Sequence, residues 1–301
     1  MTEVIGIDLG GTAIKLGRFT EDGTCLQSLS VPTPQPAYPD ATIEMMLYAI
    51  AKLAPGMVNI NAIGVGTPGP ADFAGRVAKI AINLEGWIDI PVATLIQSKT
   101  GVPTVVGNDG NCAGLGENWL GAGRNYRNSV LLTLGTGVGG AVFINGALFT
   151  GHAGSSGELG LIAIDPDGHD CKSGNNGSLE QFLSGQAIRR MTGKEPKDLG
   201  RLAAAGDRDA LKFWEDYGRN LGVGLTSILY ILTPEVAIIG GGISASGEYF
   251  LPAAKREIER RVMATSRPGF QLIAAELGNQ AGITGAAKLA WDLLARKKDK
   301  I

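Results

Sequence analysis

Two glycine turns, one in each half of the chain, carry the residues best suited to chemistry. Near the N-terminus, Val4-Ile-Gly-Ile-Asp8-Leu-Gly10-Gly11-Thr12-Ala-Ile-Lys15 reads as strand, glycine turn, strand. A second copy, Leu131-Leu-Thr-Leu-Gly135-Thr136-Gly137-Val-Gly139-Gly140-Ala-Val-Phe143, repeats the pattern. Glycines allow backbone N–H groups to close around phosphate oxygens. Thr12 adds a hydroxyl donor, Lys15 a cation on the departing strand, and Asp8 a carboxylate able to hold hydrated Mg²⁺. Either turn alone is as well explained by an ordinary hairpin. Two of them suggest two related domains facing one nucleotide, and hence phosphoryl transfer. The chain lacks a GxxxxGK[ST] run, so it is not a P-loop ATPase. The Gly135 turn fails as a dinucleotide fingerprint because a strand rather than a helix follows it.

Carboxylates supply the second ingredient. Gly107-Asn108-Asp109 lies where a strand meets a helix N-terminus. There Asp109 is either a general base for an acceptor hydroxyl or a plain helix cap. Glu158, in Gly154-Ser-Ser-Gly157-Glu158-Leu-Gly160, is either a ligand for sugar hydroxyls or a solvated loop acid. Glu180 sits in the first turn of a helix, where an acid complements the helix dipole without needing a ligand. Asn83 and Trp87 read as a capped loop with a packed aromatic, or as a substrate loop. Gly240-Gly241-Gly242 after a strand is either a tight strand–helix turn or an opening for a base and ribose.

The elements that position these residues follow from periodicity. Residues 1–30 read as three short strands joined by tight turns. A helix over 40–53 comes next, with Ile43, Met46, Leu47, Ile50 and Leu53 on one face. Strands are expected at 62–66 and 104–107, the second followed by Asn108-Asp109 and a helix to about Leu120. The second half repeats the start, with strands at 130–134, 140–144 and 147–149. A loop-like stretch from Gly151 to Gly177 follows. Ser178, with Gln181 three residues on, predicts a capping box. A long amphipathic helix spans 208–232, ended by Pro234. A strand at 236–239, a helix at 248–265, a strand at 271–275 and a last helix at about 283–297 complete the chain. Lys297–Lys300 reads as a solvated tail.

Composition narrows the classes. The chain has 301 residues, enough for two domains, with 44% apolar and 19% charged residues. A formal net charge of −2 argues against a general binder of nucleic acid or anionic membrane. Three cysteines, Cys25, Cys112 and Cys171, show no framework spacing and fit a reducing compartment. Without a basic n-region or a long apolar run, a cytoplasmic location is expected.

Taken together, these motifs resemble the ROK family of sugar kinases (repressors, open reading frames, kinases), part of the actin, hexokinase and Hsp70 ATPase fold. The resemblance covers nearly the whole chain. It implies an α/β architecture of two ribonuclease-H-like domains with a central cleft. Residues 1–120, completed by the C-terminal helix at about 285–301, would form one domain, and residues 121–284 the other. In the resemblance Asp109 is the catalytic base, and Asn108, Glu158, Glu180 and Asn83 hold the sugar. Asp8, Gly10, Gly11, Thr12, Lys15, Gly135, Thr136, Gly137, Gly241 and Gly242 serve the nucleotide and its phosphates. Mg²⁺ is implied, held by Asp8 through water, with ATP or polyphosphate as donor. The polyphosphate option follows from a branch of the family that shares both phosphate motifs and a segment similar to Pro32-Thr-Pro-Gln-Pro36.

Two departures stand out. Typical members carry Glu-x-Gly-His, and here the His place is Leu161. They continue with Cys-x-Cys-Gly-x-x-Gly-Cys-x-Glu, a zinc site. Here the stretch reads Cys171-Lys-Ser173-Gly174-Asn-Asn-Gly177-Ser178-Leu-Glu180. No zinc is expected, since a structural site wants four N or S ligands. Repressor members add an N-terminal DNA-binding domain, whereas this chain opens on the first phosphate strand. The expected partners are therefore a hexose and a nucleotide, without nucleic acid or membrane, and a homodimer is the family expectation. Glucose 6-phosphate formation is the leading activity. A kinase for another hexose or a cyclitol, and a catalytically weak sugar sensor on the same fold, are the alternatives.

Overall fold

The computed structural model describes residues 2–81 and 84–298. The chain divides into two compact units. The first comprises Met1–Arg124, Leu148–Ser156 and Gln280–Ile301, and the second Asn125–Ala147 and Gly157–Asn279.

The first unit begins with β1 (Glu3–Leu9), β2 (Ala13–Phe19), β3 (Cys25–Pro32) and α1 (Pro39–Leu53). Next come β4 (Ile60–Thr67), β5 (Ala78–Ile80), β6 (Ile88–Ile90), α2 (Val92–Thr100), β7 (Thr104–Asn108) and α3 (Asp109–Leu120). Its main sheet has the order β3-β2-β1-β4-β7, antiparallel on the hairpin side and parallel from β1 to β7. β1 is apolar and buried along nearly its whole length, as a strand with neighbours on both edges and cover on both faces must be. α1 packs Ile43, Met46, Ile50 and Leu53 into the core beside Ile5, Ile7, Leu16 and Val65.

The second unit holds β8 (Ser129–Leu134), β9 (Val138–Ile144), β10 (Ala147–Leu148), α4 (Glu180–Leu183), α5 (Gly185–Thr192) and α6 (Pro196–Ala204). α7 (Arg208–Leu232), β11 (Val236–Gly240), α8 (Gly247–Arg261) and β12 (Gln271–Ala274) complete it. Its sheet repeats the first order, β10-β9-β8-β11-β12, with β8, β11 and β12 parallel. Trp214, Tyr217, Leu221, Leu225 and Ile228 of α7 fill its core with Phe250 and Ile258 of α8. Gly218 and Gly222 let the two helices touch, because a Cβ at either would meet α8 backbone or side chain at under 3 Å.

α9 (Ala281–Lys298) returns to the first unit and lies on β1 and β4. The approach is so close that a Cβ at Gly6 or Gly64 would overlap the carbonyls of Ile283 or Ala286. Gly285 likewise rests on the Cys112 carbonyl, so α9 and α3 touch backbone to backbone. Two strand–glycine–strand units of matching order are the ribonuclease-H-like arrangement that the family resemblance implies. α2, α5, α6 and the β5–β6 hairpin go unassigned in the sequence reading.

Candidate active site

In the first unit the glycine turn joins β1 to β2, with Asp8 directly opposite Lys15 in the ladder. The Gly10 N–H donates to Ala13 O at 3.0 Å and closes the turn. Side chains from beyond β3 brace it: Thr33 Oγ1 donates to Gly10 O at 2.6 Å, and Gln35 Nε2 to Gly11 O at 2.9 Å. A Cβ at Gly11 would meet nothing within 4 Å. Packing within the chain therefore does not demand glycine there.

Burial raises the Asp8 carboxyl above its ordinary value, and Lys15 partly offsets this. A Cβ on Gly282, in the first turn of α9, would lie 2.7 Å from the Asp8 carboxyl carbon. Gly282 thus leaves the space that Asp8 occupies, a role the sequence reading gives it no credit for. Its only signal is a glycine at the start of a helix, where glycine is a poor former.

Asp109 opens α3 at the end of β7, and the helix cap is its neighbour. Asn108 Oδ1 accepts from the Asn111 N–H at 2.9 Å, and Asn108 Nδ2 donates to Gly69 O at 3.1 Å. The capping alternative for Asp109 is thereby corrected: Asn108 caps, and Asp109 is the first helical residue. Asp109 Oδ1 accepts from the Gly110 N–H at 2.8 Å. Below it, the Cys112 thiol is pushed far up, first by burial and then by the charges of Asp8 and Asp109. Both carboxylates therefore act on one sulfur. The contact of α3 with α9 fixes their spacing. Asn83, also expected at the sugar, lies outside the described residues.

The second unit gathers its own set around the turn between β8 and β9. Gly135 N–H donates to Gly137 O at 3.0 Å. Gly241, at φ +84°, follows β11, and a Cβ there would strike the backbone of Leu134, the last residue of β8. The two glycine segments therefore meet at the ends of adjacent parallel strands. A Cβ at Gly135 or Gly242 would meet nothing within 4 Å, the same openness as at Gly11.

Glu158 lies beside this turn. Its loop runs along β9, where a Cβ at Gly140 would overlap Gly157 O and one at Gly160 would overlap Val138 O. Burial raises the Glu158 carboxyl above its ordinary value, and the charge of Glu180 raises it further. Glu180 Oε2 accepts from the Val138 N–H at 2.9 Å. Here the expected capping box fails. The helix runs only from Glu180 to Leu183 without a side-chain cap, and Ser184 instead caps α5, accepting from the Ala187 N–H at 3.1 Å. Gln181, the other member of the expected box, instead accepts from Arg190 Nη1 at 2.9 Å through its Oε1.

The stretch of Cys171, Ser173 and Ser178 holds itself by protein groups. The Cys171 N–H donates to Asn175 O at 2.7 Å, and Asn175 Nδ2 donates to Leu161 O at 3.0 Å. One thiol, two hydroxyls and a leucine form a donor set that does not fit structural zinc. Among the described residues no group of three or more His, Cys, Asp or Glu is placed to hold a metal. No helix among them is long and apolar enough to cross a membrane.

Comparison with known proteins places the chain. The ROK family profile matches residues 4–292. The chain belongs to the ROK family. It is 33% identical to a glucokinase of Streptomyces coelicolor, covering 95% of this chain and 96% of that protein. It is 30% identical to the xylose repressor of Bacillus subtilis, covering 96% of this chain and 77% of the repressor. The structure of a ROK glucokinase from Streptomyces griseus in complex with glucose and AMPPNP superposes with a TM-score of 0.85 at 32% identity, over 96% of this chain and 99% of that one. An inorganic polyphosphate/ATP-glucomannokinase from Arthrobacter gives a TM-score of 0.70 at 29% identity, over 96% and 98%. This ROK chain accordingly has the actin-like ATPase fold of its neighbours.

Proposed function

We propose that this ROK protein is a hexose kinase that phosphorylates the primary hydroxyl of glucose, with ATP as donor. The observation that carries the reading is the pairing of two carboxylates in each unit with an open glycine turn: Asp8 and Asp109 in the first, Glu158 and Glu180 in the second. The glucokinase relatives support the same assignment.

In the proposed reaction Asn108, Glu158, Glu180 and Asn83 bind the sugar hydroxyls. Asn108 keeps one amide hydrogen and one carbonyl lone pair for this after its two internal bonds. Asp109 accepts the proton of the primary hydroxyl as its oxygen bonds to the γ-phosphorus. The bond from that phosphorus to the β–γ bridging oxygen breaks, and ADP leaves with the electron pair. The N–H groups of Gly11, Thr12, Thr136 and Gly137, with Lys15, position the phosphates, Gly10 and Gly135 close the turns that present them, and Gly241 and Gly242 admit the adenosine. Mg²⁺ typically keeps most of its waters and takes one or two carboxylates plus phosphates, and a single half-buried Asp8 fits that habit. When bound, the ion neutralises phosphate charge. Polyphosphate is the second donor to test, motivated by the glucomannokinase neighbour.

The test is phosphorylation of a hexose panel with ATP and, separately, with polyphosphate. Glucose 6-phosphate should form, and Asp109→Asn should lower kcat by about 10²- to 10⁴-fold, the usual worth of a general base, with glucose affinity little changed. Near-normal turnover in that variant removes Asp109 from the role. No product from any hexose or cyclitol turns the reading to a sugar sensor.

A further inference from the structure

We propose that Glu180 has a second task beyond the sugar: it ties the sugar-binding segment to the second glycine turn, so that a hexose and a nucleotide bind with positive cooperativity. The inference rests on the hexose-kinase reading, which makes Glu180 a sugar ligand. Glu180 is thereby a positioning residue for the phosphate turn.

Two bonds fasten the turn to one short segment. Glu180 Oε2 accepts the Val138 N–H at 2.9 Å on one side of the turn. The Gly185 N–H donates to Gly135 O at 2.8 Å on the other. A Cβ at Gly137 would lie 2.5 Å from Glu180 Oε2, so the carboxylate sits directly against the turn. The segment between the two bonds is anchored from beneath. Leu179 and Leu183 are fully buried, and the Tyr217 hydroxyl, itself buried on α7, donates to Leu183 O at 2.7 Å. Residues 179–185 therefore form a strap fixed to the core, with the turn slung from its two ends.

The occupant of the open side of the strap decides how firmly the turn is held. Without sugar, the Glu180 carboxylate is held at the turn by the Val138 N–H, and repulsion from the negative charge of Glu158 beside it works against that hold. Sugar hydroxyls donating to both remove that repulsion and keep Glu180 on the Val138 N–H. The turn is then already ordered when phosphates arrive, and the nucleotide does not have to order it. Two ligands that stabilise one arrangement must help each other to bind, equally in both directions.

The test is calorimetric titration of AMP-PNP with Mg²⁺, with and without saturating glucose, on the whole protein. Wild type should bind AMP-PNP at least about 5-fold more tightly with glucose, within the usual range of coupling between sites. Glu180→Ala should bind AMP-PNP without glucose about 10-fold more weakly than wild type, and hydrogen exchange at the Val138 amide should rise. Glu180→Gln keeps a carbonyl oxygen for Val138 and drops the repulsion, so its sugar-free AMP-PNP affinity should equal or exceed that of wild type. Tyr217→Phe, which touches neither ligand, should loosen the strap and shrink the glucose effect. If Glu180→Ala loses glucose binding while its sugar-free AMP-PNP affinity is unchanged, Glu180 is a sugar ligand only. The tie is then overturned and the kinase reading stands. Equal AMP-PNP affinity in wild type with and without glucose also overturns it. Failure of wild type to phosphorylate any sugar would instead remove the kinase reading, and the sugar-free affinities would still report on the strap.

Discussion

The two glycine turns occupy the same place in two sheets of the same order, yet they are held by different means. The turn at Gly10–Thr12 is braced by the neutral side chains of Thr33 and Gln35, which follow β3 in the chain. The turn at Gly135–Gly137 is held by a carboxylate and a backbone N–H from a segment over forty residues away. A neutral brace from the adjoining loop fixes one shape and answers to nothing else. A charged brace that also belongs to a ligand set transmits what that ligand does. Duplication of an architecture has thus left one turn static and made the other responsive.

The largest contrast should come from adding one methyl group to each turn. At Gly137 it would crowd the Glu180 carboxylate at 2.5 Å and must displace it. Gly137→Ala should therefore weaken both nucleotide and glucose binding, each by about 10-fold or more, and lower stability by about 0.5–1.5 kcal/mol, the net worth of the displaced Val138 hydrogen bond. At Gly11 the methyl meets nothing within 4 Å. Gly11→Ala should leave the melting transition within about 0.5 kcal/mol of wild type, as for an unconstrained surface change, and raise only the nucleotide KM. Steady-state kinetics and denaturant unfolding separate the two, and loss of glucose affinity in Gly11→Ala would erase the distinction.

How much of this was readable beforehand depends on distance along the chain. Both turns, their flanking strands and the Asp109 segment announce themselves within a dozen residues, because hairpins and strand-to-helix junctions are local signals. In sequence the helix cap is the bland alternative role of Asp109, and only the bond from the Asn111 N–H shows that the neighbouring Asn108 takes it. Ser178 misled for a different reason. Its spacing to Gln181 is a good local pattern, but the Gln181 side chain is taken by Arg190 of the next helix. Gly282 under Asp8 is the extreme case, a contact between the two ends of the chain. The short α5 and α6 lie beyond the glycine-rich stretch, and burial of Ile188, Leu199 and Ala203 in the core of the second unit holds them.

A pH profile separates the turns by a smaller effect. Burial and then Glu180 raise the Glu158 carboxyl. The ionised form accepts sugar hydroxyls, so kcat/KM for glucose should fall with decreasing pH at a value above the ordinary carboxylate range of about 4. Glu180→Gln removes one of the two causes and should move that acid limb to lower pH, while burial keeps it above the ordinary range. Stability runs the other way. A carboxyl whose folded pKa is raised favours the folded state while protonated, and that contribution is lost as pH rises through the raised value. An acid limb unmoved by Glu180→Gln would mean that the two carboxylates do not feel each other.

The smallest effect tests the static turn. Thr33 is buried, and Thr33→Val keeps its shape while removing the 2.6 Å bond to Gly10 O. The loss should be about 0.5–1.5 kcal/mol of stability, the net worth of one such bond. The nucleotide KM should rise modestly, because the first turn is less fixed. The factor by which glucose tightens nucleotide binding should not change, since Thr33 is outside the sugar set and carries no charge for a ligand to relieve. If that factor fell as it is expected to fall in Tyr217→Phe, both turns would transmit, and the carboxylate could not be what makes the second one responsive.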